Sequence, residues 1–117
     1  PGTVGMPYST SKAAAIQFTH ALAIELAQHN INVNCVCPGN LWTPMWEKIA
    51  ANAVRHDPSK AGMTPRQVFE SQIKAGAPLG RPQTPEDIGR AVAFFASDDA
   101  SEITGQALNV NGGAIMS

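Results

Sequence analysis

Apolar residues in this chain recur with two different spacings, and polar or Pro/Gly-rich stretches separate the segments. Pro1 to Pro7, with two prolines and two glycines, reads as loop. Ser9, Thr10 or Ser11 can then cap a helix that runs to about His29. In that helix Ile16, Phe18, Leu22, Ile24 and Leu26 spread over much of the circumference, and Gln17, Glu25 and Gln28 leave a narrow polar stripe. A helix apolar on more than one side packs against more than one neighbour. Here these would be its own sheet and either the rest of its domain or a second subunit. Asn30 is a turn residue suited to ending the helix. Ile31 to Cys37 then places β-branched residues at alternate positions, which predicts a strand stopped by Pro38-Gly39.

Helical spacing returns from Met45 to Val54, with Trp46, Ile49 and Val54 on related turns, and Arg55 to Gly62 is a polar break. Thr64-Pro65 and Thr84-Pro85 repeat one device, a capping threonine followed by proline at the first helical position. The helix they predict first runs to about Lys74. The second has acids in its first turn and a core face of Ile88, Ala91, Val92 and Phe95. Gln106 to Val110 is a short strand ended by Asn111-Gly112-Gly113. Helix, short turn, strand and Pro-Gly loop are the grammar of an open α/β sheet, in which ligands sit at the carboxyl ends of strands. Two strands expose edges that need neighbours. The partner strands are therefore expected from sequence outside these 117 residues, as is the start of a protein whose first residue here is Pro1.

Composition narrows the function classes. The chain is 44% hydrophobic and 15% charged with a formal net charge of -1, which leaves no electrostatic footprint for nucleic acid or an anionic membrane. No apolar run reaches the ~18 residues of a membrane span and no signal peptide is visible, so cytoplasm is the default expectation. Cys35 and Cys37 match neither a CxxC redox pair nor a zinc cluster, so buried reduced thiols are expected and no metal site.

One pair carries chemistry. Tyr8 and Lys12 stand four residues apart, one helical turn from each other on one face. An ammonium beside a phenol favours the phenolate by Coulomb attraction. Such a pair can move a proton to or from an oxygen while the lysine keeps donors for a polar ligand. The same spacing also occurs in ordinary solvated helices.

The order of short motifs resembles the C-terminal half of a short-chain dehydrogenase/reductase. They are Tyr8-x-x-x-Lys12, Asn32-Val33-Asn34, Pro38-Gly39-x-Leu41-x-Thr43, Pro78-Leu79-Gly80-Arg81, Pro85-Glu86-Asp87-Ile88, Ala96-Ser97-Asp98, Ile103-Thr104-Gly105-Gln106 and Asn109-Val110-Asn111-Gly112-Gly113. The resemblance covers essentially the whole chain. It implies a single partial domain over residues 1–117: the C-terminal part of a Rossmann-type, doubly wound parallel sheet that lacks the N-terminal dinucleotide-binding half.

The implied activity is hydride transfer between NAD or NADP and a hydroxyl or carbonyl carbon. Tyr8 and Lys12 would be catalytic. Tyr8, Lys12, Pro38, Gly39, Leu41 and Thr43 would meet the cofactor. For Gly39 a simple turn, and for Thr43 a helix cap, remain alternative roles. The glycine-rich loop, the residues reading the adenine ribose and the catalytic serine belong upstream of Pro1. Asn111 stands where the family commonly has Asp, and reads as a conservative turn residue.

Residues from Trp42 to Ala77 correspond to the family's substrate lid. Trp42, Met45, Trp46 and Met63 would line a pocket or fill the lid's own core. Arg55, His56 and Lys60 would face an anionic substrate or simply be solvated. The Thr43-Pro44-Met45-Trp46 start resembles the branch acting on polyols, acetoin or similar small secondary alcohols. A carrier-bound 3-oxoacyl thioester is a second substrate class. A non-catalytic assembly module is a different class of function altogether. Family habit and the two-sided first helix imply a homotetramer or dimer, with a small-molecule substrate as the other partner.

Overall fold

The computed structural model describes residues 5–116. Four α-helices and two strands follow in the order α1 (Met6–Leu26), β1 (Cys35–Pro38), α2 (Pro44–His56), α3 (Pro65–Gly76), α4 (Pro85–Phe95) and β2 (Ala107–Val110). The strands pair directly, and the Cys35 and Gly39 N–H groups reach the Gln106 and Val110 carbonyls at 2.8 and 3.0 Å. Both partners advance together along the chain, so the pair is parallel. The chain divides into two compact units, Pro1–Val36 with Ala91–Leu108 and Cys37–Arg90 with Asn109–Ser117.

In the first unit α1 begins earlier than the sequence predicts. Gly5 is its N-cap and no side chain caps it, so Ser9, Thr10 and Ser11 lie inside the helix. Pro7 in the first turn, where its missing N–H costs no bond, explains the earlier start. The Ser11 hydroxyl donates back to the Tyr8 carbonyl at 2.7 Å. The helix ends in a 3₁₀ turn, Ala27–His29, and Asn30 takes the left-handed conformation (φ 57°). Thr19 and Ala23 are buried, but Phe18 and Ile24 are 63% and 81% exposed. Only one side of α1 is therefore covered within this chain.

β1 is shorter than the predicted Ile31 to Cys37, and asparagine chemistry is the reason. The Asn32 amide donates to the Ala100 and Ser101 carbonyls at 3.2 and 2.7 Å. The Asn34 amide donates to the Ile103 carbonyl at 2.7 Å, and its oxygen accepts the Gln106 N–H at 2.9 Å. The Thr104 hydroxyl accepts the Val33 N–H at 3.0 Å. Side chains here take over most of the backbone ladder that would have lengthened the strand, leaving one backbone bond from the Gly105 N–H to the Val33 carbonyl at 2.7 Å. Cys35 and Cys37 are half-buried rather than fully buried, and both remain thiols.

The second unit is built on α2 packed against α3. Both threonine–proline starts form as the sequence predicts. Thr64 and Gln67 make a reciprocal capping box, with each side chain accepting the other's N–H (3.2 and 2.8 Å). At Thr84 the box uses Asp87, whose carboxylate accepts the Thr84 N–H and hydroxyl, both at 2.9 Å. Those bonds, the N–H first, hold the Asp87 carboxyl below its ordinary range. The core is Phe69, Ile73 and Ala77, with Trp42 and Trp46 packed against it.

Candidate active site

Tyr8 and Lys12 stand together on the first turns of α1. The Lys12 ammonium lies 5.4 Å from the centroid of the Tyr8 ring, the separation of a cation over an aromatic face. Tyr8 is 48% exposed, so the residue is reachable from solvent. The helix also positions the pair, because the turn that carries Tyr8 is tied at Ser11 and at the Tyr8 N–H, which donates to Gly5 at 3.0 Å.

In the second unit the segment from Pro38 to Thr43 leaves β1 and enters α2. Gly39 has a reason of its own to be glycine. A Cβ built there would sit 2.3 Å from Gln83 Oε1 and 2.7 Å from the Asn111 Cα, far inside contact distance. The protein's own chain thus fills the space beside Gly39. Leu41 forms a parallel bridge with Gln83, where the Gln83 N–H donates to the Asn40 carbonyl at 3.3 Å, so the Leu41 amide is not the one used. Thr43 does cap α2, its hydroxyl oxygen accepting the Trp46 N–H at 3.3 Å. That bond occupies one lone pair and leaves the hydroxyl proton to donate elsewhere.

The residues between Trp42 and Ala77 divide by role. Trp42 and Trp46 meet Phe69 edge-on, with ring centroids 5.1 and 5.2 Å away, so both belong to the core of the second unit. Met45 on α2 is 56% exposed and faces outward. Of the candidate anion readers, Lys60 is ion-paired with Asp57, and Arg55 and His56 occupy the last turn of α2.

Two residues that the sequence reading passed over, Gln83 and Arg66, and one that it takes as a conservative turn residue, Asn111, prove structurally central. Gln83 wedges against Gly39, and a Cβ at Gly112 would lie 3.0 Å from its amide nitrogen. Asn111 is buried, and its amide donates to the Ile115 carbonyl while its oxygen accepts the Gly113 N–H, each at 3.0 Å. An aspartate would keep only the second bond, so the asparagine is more than a conservative replacement here. Arg66 lies over the Trp42 and Phe69 rings at 5.1 and 5.7 Å. Among the described residues no group of three or more His, Cys, Asp or Glu could hold a metal ion, and no helix is long and apolar enough to cross a membrane.

A family model described as Enoyl-(Acyl carrier protein) reductase matches residues 2–115. A protein named as a ketoacyl reductase of the monensin polyketide synthase from Streptomyces virginiae is 44% identical over 94% of this chain and 40% of its own length. The diacetyl reductase [(S)-acetoin forming] of Staphylococcus epidermidis is 40% identical over 92% of this chain and 40% of its own. Among solved structures, L-sorbose reductase from Gluconobacter frateurii, complexed with NADPH and L-sorbose, superposes with a TM-score of 0.84 at 30% identity. That superposition covers 100% of this chain and 43% of the other. The chain therefore spans about two-fifths of the length of the proteins it matches. It belongs to the short-chain dehydrogenase/reductase family, as a C-terminal portion of that family's Rossmann-type fold.

Proposed function

We propose that this chain carries the proton-transfer half of an NAD(P)-dependent oxidoreductase acting on a small secondary alcohol or its ketone. The observation that carries the reading is the half-exposed Tyr8, whose ring has the Lys12 ammonium 5.4 Å from its centroid. Each unit by itself carries donors of the kind a dinucleotide uses: in the first the exposed Lys12 ammonium, in the second the Leu41 amide left unused by its bridge and the remaining proton of the Thr43 hydroxyl. The nicotinamide ring supplies or accepts the hydride when bound.

Everything else falls to side chains and backbone of this protein. In reduction the Tyr8 hydroxyl donates its proton to the substrate oxygen, and in oxidation the phenolate takes it back. Lys12 would set its positive charge beside that phenolate and would donate to the nicotinamide ribose hydroxyls. Leu41 would donate its N–H to the carboxamide, and Thr43 would donate to the carboxamide or pyrophosphate. Gly39 keeps the end of β1 close to Asn111, a role that fits the strand-end packing better than direct approach to the cofactor.

Names of relatives favour two substrate classes. The acetoin-forming and sorbose-reducing proteins support a small polyol or acetoin-like substrate. The ketoacyl reductase supports a carrier-bound 3-oxoacyl thioester. Within residues 42–77 Lys60 and Arg66 are bonded to Asp57 and Glu70, which takes two cations away from an anionic carrier and leans towards the first class. The exposed Phe18 and Ile24 on α1, with Val92, Phe94 and Leu108, support assembly as a homo-oligomer, a dimer or tetramer.

The deciding experiment is Tyr8→Phe in the full-length protein. Turnover is expected to fall by about 10²–10⁴-fold, the usual contribution of a positioned acid–base group, with dinucleotide affinity nearly unchanged. Near-normal turnover would remove Tyr8 from the mechanism. Oligomers that bind no dinucleotide would favour an assembly role alone.

A further inference from the structure

Arg66 breaks two local rules. It is the second residue of α3, where the helix dipole disfavours a cation, and that first turn holds no acid. Its ion pair to Glu70 (2.7 Å) runs from cation to anion along the helix, the less favourable order for residues four apart. The pair is also 48% exposed on both sides, where such pairs stabilise little. A residue placed against local preference points to something it does elsewhere.

What it touches is Trp42. The guanidinium lies 5.1 Å from the Trp42 ring centroid, and Phe69, one turn further along α3, meets the same indole edge-on at 5.1 Å. Trp42 sits between Leu41 and Thr43, the two residues whose backbone amide and hydroxyl are read above as cofactor donors. Arg66 and Phe69 thus grip the one large side chain of that segment from the lid helix. The same segment is also held by Gln83, which reaches Leu41 and Asn40 through the bridge.

We infer that Arg66 is a positioning residue: through Trp42 it fixes the Leu41–Thr43 segment, so that the order of the lid helix α3 sets the affinity for the dinucleotide. The inference rests on the reading of Leu41 and Thr43 as cofactor contacts. It makes lid and cofactor loop one mechanical body, whereas a lid that only shaped the substrate pocket would leave dinucleotide affinity alone.

The test is a double-mutant cycle in the full-length protein, titrated with NADH and with NADPH in the absence of substrate. Arg66→Gln is expected to weaken dinucleotide binding about 3–10-fold, the range of a stacked cation, and Arg66→Lys to recover most of it. Trp42→Ala should weaken binding at least as much. Adding Arg66→Gln to Trp42→Ala should then change little, because the two act as a unit. Hydrogen exchange at the amides of residues 41–43 should rise in Arg66→Gln.

Additive losses, or an unchanged dinucleotide affinity in Arg66→Gln, would overturn the inference. So would faster exchange at those amides without weaker binding. If the unmutated protein binds neither dinucleotide, the functional reading fails and the inference falls with it. If it binds and Arg66→Gln binds equally well, only the inference falls.

Discussion

The Asp57 carboxylate shows how a single polar break can be locally ordered. It accepts the Ser59 N–H and hydroxyl at 3.0 and 2.6 Å and pairs with Lys60, and these bonds, Lys60 first, hold its pKa at about 2 against an ordinary 3.8. A depressed carboxylate contributes stability above its unfolded value and loses it as pH falls through the folded one. The contribution should therefore be complete above roughly pH 4 and vanish towards pH 2. Carboxyl NMR titration of the protein and of Lys60→Ala checks this; the variant should titrate closer to 3.8, and an unmoved midpoint would exclude Lys60 as the cause. None of this was visible in the string Arg55 to Gly62, which reads only as polar. The Tyr8–Lys12 pair was legible because helical spacing alone places such residues together. Gln83 was not, since nothing in its neighbourhood announces a partner more than 40 positions away, and Asn111 was legible as a turn residue but not in its bond to a carbonyl four residues on.

Elements were legible where short-range chemistry decides them. Thr64-Pro65 and Thr84-Pro85 start helices because cap and proline act within four residues, and both start where expected. β1 was misjudged by several residues because its register depends on amide side chains reaching Ala100 to Gln106. Trp42 and Trp46 were ambiguous for the same reason: only packing on Phe69 separates core from pocket. The junction after β1 offers the sharpest element-level prediction. Gly39→Ala would drive a methyl into the Asn111 backbone, not merely into the movable Gln83 side chain. It should cost about 1–3 kcal/mol, as overpacking does, measured by urea unfolding of the full-length protein. Adding Gln83→Ala should not rescue it. A rescued or unaffected variant would show that the strand end can yield.

The open α/β character of the whole chain follows from its helix–turn–strand grammar, yet the surfaces it leaves uncovered could be assigned only once burial was known. Phe18 and Ile24 on α1, and Val92, Phe94 and Leu108 near the C-terminus, are exposed apolar groups of a size that a stable protein normally covers. Expressed alone, the 117 residues should bind a hydrophobic dye such as ANS strongly and show no change in NADPH fluorescence on titration. A dye-silent chain that binds NADPH would show that this portion is self-sufficient.

The asparagine bridges carry a further consequence for biosynthesis. Val33 and Asn34 find their partners in Thr104 and Gln106, 71 and 72 residues later. At a ribosomal pace of about 5–20 residues per second, the first strand waits roughly 4–14 s before its mate exists. Throughout that interval its edge is bare in the nascent polypeptide, which makes this stretch a natural client for whatever guards emerging chains, and slowing the ribosome between the codons of Asn34 and Gln106 should lengthen that exposure.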